Sequence, residues 1–167
     1  MCWGEGGDNI MKNILNILKQ KIKDKMSNYI NFYNDDFYLK QQNESYNNAK
    51  IIVPEIIEIV SPQSVIDVGC GVGAWLKIFK DLGVTEILGI DSDDVPVNQL
   101  LINPSEFQTA NLENKIQINK KYDLAISIEV AEHISKKNDL NFINNLTHAS
   151  DIIIFSAAIP KQGALIT

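Results

Sequence analysis

The chain has 167 residues, 45% hydrophobic and 22% charged, enough for one globular domain with a single sizeable core. Fifteen basic residues stand against 21 acidic ones, for a net charge of -6, and every basic residue is a lysine. Arginine is the usual bidentate reader of phosphate and guanine, so its absence, with the acidic balance, argues against a dedicated nucleic-acid binder. Cys2 and Cys70 are the only cysteines, too few for a disulfide framework or a cysteine-based zinc site. No apolar run approaches the ~18 residues of a transmembrane helix, and the N-terminus lacks the basic-then-apolar order of a secretory signal. A cytoplasmic protein without a transmembrane segment is the expectation.

Residues 1–8 are glycine-rich and polar and read as a disordered tip. From Ile10 to Met26, apolar residues at Ile10, Ile14, Ile17, Leu18, Ile22 and Met26 recur with helical spacing, with lysines between them. Residues 1–27 are thus expected to form an extension with a basic amphipathic helix. It would pack on the domain or extend from it, with a membrane surface or a partner as the sharper alternative. Residues 28–48, rich in Asn, Tyr and Asp, read as mostly irregular. Ala49, Ile52, Val53, Ile56, Ile57 and Val60 share one helical face. This predicts a helix over 49–60, kinked or restarted at Pro54 and stopped by Ser61-Pro62.

Strands then alternate with helices. The pattern predicts a strand at Val65–Val68, a helix at Ala74–Leu82 capped by Gly83, and a strand at Glu86–Ile90 ending on Asp91. Next come a short helix near Val97–Leu101, strands at Glu106–Ala110 and Tyr122–Ile128, a helix at Asp139–Ala149 and a strand at Asp151–Ala157. Such alternation means a parallel sheet covered by helices on both faces. Its ligands bind beyond the carboxyl ends of the strands.

The first strand runs into Asp67-x-Gly69-x-Gly71-x-Gly73, a turn whose backbone can approach a nucleotide-like ligand closely. Gly69-x-Gly71-x-x-Ala74 also satisfies the dinucleotide fingerprint. A carboxylate at Asp67 would repel a pyrophosphate, however, and attract a cation; a ligand with an ammonium and a sulfonium but no phosphate fits better. Asp67 could instead serve only to hydrogen-bond the glycine loop. Asp91, about 20 residues beyond the glycines, suits ribose hydroxyls, or caps the next turn with Ser92 or Asp93. The fourth strand exits into Glu129-x-x-Glu132-His133.

Taken in order, the Asp67–Gly73 motif, Asp91, Ala110-Asn111-Leu112 and Glu129-x-x-Glu132-His133 resemble the class I S-adenosylmethionine-dependent methyltransferases, over about Ala49 to Pro160. The resemblance implies an α/β, Rossmann-like, doubly wound and mostly parallel sheet of strand order 3-2-1-4-5. It also implies S-adenosyl-L-methionine as cofactor and a small-molecule acceptor. Gly69, Cys70 and Gly71, with Gly73 completing the loop, would line the methionine part, and Asp67 would anchor the loop or the amino group. Asp91, with Ser92 beside it, would take the ribose hydroxyls. Asn111 and Leu112 would face the adenine, although many relatives carry Asp where Asn111 stands. Glu129 would lie over the methionine side. Glu132 and His133 are open to three readings: ligands of a hard divalent ion with Glu129, proton acceptors from the substrate, or caps of the adjoining loop. His148, the other histidine, is expected at the surface. Cys70 reads as a spacer and Trp75 as core or pocket wall.

The family fold ordinarily continues past strand five with a helix and an antiparallel pair of strands. Here the chain stops at Thr167, so the expectation is a C-terminally truncated domain over 28–167. It would lack its final antiparallel strands and have a strand-five edge open to self-association. Two other readings stand beside it: an NAD-dependent oxidoreductase, and a non-catalytic cofactor-binding remnant.

Overall fold

The computed structural model of the protein describes Gln20 and residues 37–157, apart from the side chains of 37–43. Apart from Gln20, which is helical, the expected tip and the helix over 10–26 lie outside the described residues, as does the chain beyond residue 157. The chain divides between Ser61 and Pro62 into two compact units.

In the first unit, α1 runs from Phe37 to Val60 with Pro54 inside it. The apolar face is as expected, with Ala49, Ile52, Val53 and Ile56 all buried. Two expectations are corrected. Residues 37–48 are helical, not irregular, and of the kink or restart expected at Pro54 the restart does not occur. Extending a formed helix is far cheaper than nucleating one. A weakly patterned segment can therefore continue the helix that the amphipathic stretch 49–60 supports. The helix stops where Ser61 adopts φ 50, its N–H still donating to the Ile57 carbonyl at 2.9 Å.

The second unit is built on β1 (Ser64–Val68), α2 (Ala74–Asp81), β2 (Glu86–Asp91), β3 (Phe107–Thr109), β4 (Leu124–Ile128), α3 (Asp139–Ala149) and β5 (Ile153–Ser156). The five strands form one sheet in the order β3-β2-β1-β4-β5, and every pairing is parallel. β1 is central. Its Asp67 lies opposite Gly89 of β2 and Ile126 of β4. Val65, Ile66, Val68, Leu124, Ala125 and Ile126 are all fully buried, as befits strands covered on both faces. Ile66, Val68, Ile90 and Ala125 join Phe142, Leu146 and Ala149 of α3 in one core cluster. α2 buries Ala74, Trp75, Leu76, Ile78 and Phe79, and the N–H of Gly83 just beyond it donates to the Lys80 carbonyl at 3.1 Å.

The outer elements are shorter than their sequence pattern. The short helix expected near Val97–Leu101 is a single 3-10 turn over Val97–Gln99. Tyr122 makes only an isolated bridge with Ser150, so β4 proper begins at Leu124. Side chains fasten the irregular segments. Buried Asn145 of α3 accepts the Ile116 N–H at 3.0 Å and donates to the Asn114 carbonyl at 2.8 Å. This holds the connection from β3 to β4 against the helix.

Asp123, just before β4, fixes the start of β1. One of its carboxylate oxygens accepts the N–H groups of Gln63 and Ser64, each at 2.9 Å, and the Ser64 hydroxyl at 3.0 Å. These donors, the Gln63 N–H foremost, hold the carboxyl below its ordinary range. A depressed folded-state pKa contributes stability above the unfolded value of about 3.9, lost as pH falls through the folded value. Asp123→Ala should therefore lower the melting temperature at pH 7 and flatten the acid limb of a melting-temperature profile below about pH 4. Parallel melting curves for the two proteins down to acid pH check this.

Candidate functional site

The carboxyl ends of β2, β1 and β4 lie side by side, and the strand order reverses between β1 and β4, where ligands of such sheets bind. The turn after β1 is shaped mainly by the end of β2. The Ile90 carbonyl accepts the Gly69 N–H at 2.8 Å and the Cys70 N–H at 3.2 Å, and the Gly73 N–H closes onto the Cys70 carbonyl at 2.9 Å. The Asp91 carboxylate reaches across: Oδ2 accepts the Gly71 N–H at 2.6 Å and Oδ1 accepts the Ser92 N–H at 2.7 Å.

Two glycines of the loop differ in what they permit. Gly69 has φ 92, and a Cβ there would lie 2.3 Å from a methyl of Val130. Gly71 has φ 52, but a Cβ there would meet nothing within 4 Å. The first is tight against the exit of β4; the second faces open space. Beyond them Ile102 packs on Gly73, and the Leu101 N–H donates to the Val72 carbonyl at 2.8 Å. The segment after β2 thus fastens the far end of the loop.

Asp67 is 2% exposed. Burial, and next the charge of Asp91, push its carboxyl well above the usual range. Among the described residues no donor hydrogen-bonds this carboxylate. Cys70 is buried beside it, and its thiol is likewise pushed up, by burial first and then by Asp67 and Asp91. A thiol so held is a packing group and not a nucleophile. It fills the space that Gly89 leaves open, for a Cβ at Gly89 would lie 2.6 Å from the Cys70 sulfur.

Glu129 comes directly after β4 in the left-handed region, at φ 56. Its N–H donates to the Ser156 carbonyl at 2.9 Å, and the Ser156 hydroxyl donates to its Oε1. Glu132 and His133 are exposed on a 3-10 turn over Ala131–His133, and His148 is exposed in the last turn of α3. Among the described residues no three histidine, cysteine or carboxylate side chains converge as a metal cluster, so the structure does not bring Glu129, Glu132 and His133 together as one ligand set. Asn111 is exposed and its Oδ1 accepts the Glu113 N–H at 2.9 Å; Leu112 is buried. Glu113 in turn accepts the Ser135 N–H at 2.8 Å and the Asn138 amide at 2.7 Å, tying the Asn111–Leu112 turn to the loop after His133.

Sequence reasoning passed over Gly89, Ile102, Glu113 and Val130. Only Gly89 carried a signal, as a glycine inside an apolar strand. The others matter through partners 20 or more residues away.

Residues 37–153, which carry this geometry, match the family model described as "Methyltransferase domain". The chain belongs to the class I S-adenosylmethionine-dependent methyltransferase family. It is 30% identical over 125 residues to the mitochondrial ubiquinone biosynthesis O-methyltransferase of Dictyostelium discoideum, covering 65% of this chain and 37% of that protein. It is 34% identical over 104 residues to the ribosomal protein L11 methyltransferase of Dictyoglomus thermophilum, covering 59% and 33%. The chain thus spans about a third of the length of these curated relatives. Its fold is similar to that of Streptomyces venezuelae DesVI, with a TM-score of 0.61, 15% identity, and coverage of 78% of this chain and 61% of that one. No helix among the described residues is long and apolar enough to cross a membrane.

Two consequences for the methyltransferase loop are measurable. Gly69→Ala should cost about 2–3 kcal/mol, because Val130 must move and the backbone is left-handed, whereas Gly71→Ala should cost only about 1 kcal/mol from backbone strain; urea unfolding measures both. Asp67 has a folded-state pKa above its unfolded one, so its contribution is fully present below about pH 3.9 and is lost as pH rises towards the raised value. Asp67→Asn should therefore be at least as stable as the parent at pH 7, and the parent should gain on it as pH falls. Melting temperatures of both proteins across that range test the sign.

Proposed function

We propose that this chain is the cofactor-binding part of an S-adenosylmethionine-dependent methyltransferase that acts on a small-molecule acceptor. One observation carries the reading. Asp67, a carboxyl only 2% exposed with the charge of Asp91 nearby, leads directly into a glycine loop whose Gly71 faces open space. Such a carboxylate gains when a cation arrives, and the pyrophosphate of a dinucleotide would lose there. With the family assignment, this displaces the NAD-dependent oxidoreductase reading.

The cofactor supplies a methyl group already activated on a sulfonium, so the protein's task is position and electrostatics. The backbone of Gly69, Cys70 and Gly71 would line the methionine part, with Gly73 fixing the loop's end. Asp67 would face the amino group directly or through water. Each Asp91 oxygen already accepts one backbone N–H and keeps a second lone pair for a ribose hydroxyl, with Ser92 beside it. Leu112 would offer its N–H to the adenine, and Asn111 the remaining lone pair of its amide oxygen. Glu129 would lie on the methionine side. Glu132 and His133, both exposed beyond β4, stand where an acceptor hydroxyl or amine could give up a proton.

The lack of arginine and the charge of -6 favour a small-molecule acceptor over a nucleic acid. The two curated relatives differ in what their names point to, ubiquinone biosynthesis in one and a ribosomal protein in the other. A cytoplasmic setting is part of this reading, supported by the low cysteine content.

Calorimetric titration with S-adenosylhomocysteine tests the proposal. The folded chain should bind it, Asp91→Ala should weaken binding by about tenfold or more, and Gly71→Ala should fold yet bind poorly because its new methyl occupies the open face. A folded chain that takes up no S-adenosylhomocysteine would overturn the reading. Binding with no transfer to any acceptor in a broad screen would mark a cofactor-binding remnant instead.

A further inference from the structure

Residues 92–106 join β2 to β3 with only two 3-10 turns, over Val97–Gln99 and Pro104–Glu106. Most of this segment is exposed, and Ile102 is its one buried residue. Ile102 lies on the glycine loop: a Cβ at Gly73 would come within 2.9 Å of its side chain. Next to it, the Leu101 N–H donates to the Val72 carbonyl at 2.8 Å. On the other side of Ile102, Glu106 closes a clamp. Its Oε2 accepts the Asn103 N–H at 2.9 Å, its own N–H donates to the Asn103 carbonyl at 2.8 Å, and its Oε1 accepts from the Lys80 Nζ of α2. α2 itself starts from Gly73, whose carbonyl accepts the Lys77 N–H at 2.9 Å. The contacts form a closed ring. It runs from the glycine loop along α2 to Lys80, across to Glu106, back through Asn103 to Ile102, and onto the loop again.

We propose that Glu106 is a positioning residue for cofactor binding: by holding Lys80 and the Asn103 N–H at once, it keeps Ile102 seated on Gly73 and the glycine loop in its binding arrangement. The inference rests on the cofactor reading and deepens it. A segment without a strand ladder or a full helix of its own opens locally at small cost. A partly exposed ion pair alone would do little to prevent that. Glu106 does more, because its second oxygen makes a charge-assisted hydrogen bond to the backbone of Asn103, the neighbour of Ile102. Asp91 holds the loop at Gly71 from the end of β2, and the Ile102 contact holds it at Gly73. When only a fraction of the molecules keeps a binding arrangement, the apparent affinity falls by that fraction. Release of the clamp therefore shows as weaker binding.

Two measurements test this, one of them without any ligand. Amide hydrogen exchange followed by NMR reads the Leu101 N–H, and calorimetry gives the dissociation constant for S-adenosylhomocysteine. In Glu106→Ala the Leu101 amide should exchange about tenfold faster or more, while the amides of β1 and β4 keep their parent rates. The same variant should bind S-adenosylhomocysteine about threefold to tenfold more weakly. Glu106→Gln keeps an oxygen for the Asn103 N–H but gives up the charge towards Lys80. It should fall between Glu106→Ala and the parent, and it carries the test if the alanine variant fails to fold. Ile102→Ala should lose at least as much affinity as Glu106→Ala, and the double variant no more than Ile102→Ala, because Glu106 acts through Ile102. Asp123→Ala, which weakens the fold at the other end of the sheet, should bind within about twofold of the parent. Parent affinity in Glu106→Ala, an unchanged Leu101 exchange rate, or additive losses in the double variant would each overturn the inference alone. So would an equal loss of affinity in Asp123→Ala, which would mark a general effect of stability. Failure of the folded parent to bind S-adenosylhomocysteine would overturn the cofactor reading and this inference with it.

Discussion

The Asp91 carboxylate holds the turn on which the site depends. A loop with Gly69, Gly71 and Gly73 all at positive φ has many conformations to lose, and glycine loses more freedom on ordering than any other residue. Two short hydrogen bonds, from Gly71 N–H and Ser92 N–H, offset that cost by fixing the loop to the end of β2. The Ile90 carbonyl adds two more from the same strand. The parallel register pairs Val68 with Ile90, so the strand that starts the loop and the strand that holds it arrive level. A shift of one residue between β1 and β2 would move Asp91 away from Gly71 and also drive the Asp67 face of β1 to the other side of the sheet.

Charge is distributed just as unevenly. Asp67, Asp91 and Glu129 gather at the carboxyl ends of β1, β2 and β4, and the four described ion pairs all lie elsewhere. Asp67 is the costly member, a buried carboxylate in a sheet centre whose burial and neighbour both disfavour ionisation. Core positions rarely hold such a group without compensation. On the proposed cofactor reading the compensation would be a site whose electrostatics improve when a cation enters. That would be the opposite preference from a phosphate-binding glycine loop, carried by residues that flank the same three glycines.

The connecting segments form a second layer of constraint. Asn145 holds the β3–β4 connection from beneath, Glu113 ties that connection to the loop after His133, and Ser156 ties β5 to the exit of β4. Each is a polar side chain reaching 20 or more residues along the chain. Together they join the adenine side, the methionine side and the acceptor side of the proposed site through hydrogen bonds rather than through continuous secondary structure.

Whereas the spatial order of the strands was implied only by the family resemblance, the succession of strands and helices along the chain, the place of the glycine loop and the residues around it were legible in the amino-acid order. Those features are local: an apolar run long enough for a strand, a break into glycines, an acid at a fixed spacing. The span of α1 was not legible, because residues 37–48 lack their own apolar stripe and take their helicity from the adjoining segment 49–60. Nor was the shortness of β3 and β4: Glu106 is taken up by the 3-10 turn over Pro104–Glu106 that it caps, and Tyr122, which suits a strand, makes only an isolated bridge. By itself the sequence determined that a carboxylate precedes the glycine turn and that another ends the next strand. Only the tertiary structure decided that the first would be buried without a donor among the described residues, that the second would clasp Gly71, and that Ser156 would hold Glu129. Each of those depends on which strands lie side by side, and neighbours across a parallel sheet are set by packing over the whole domain rather than by any stretch of chain.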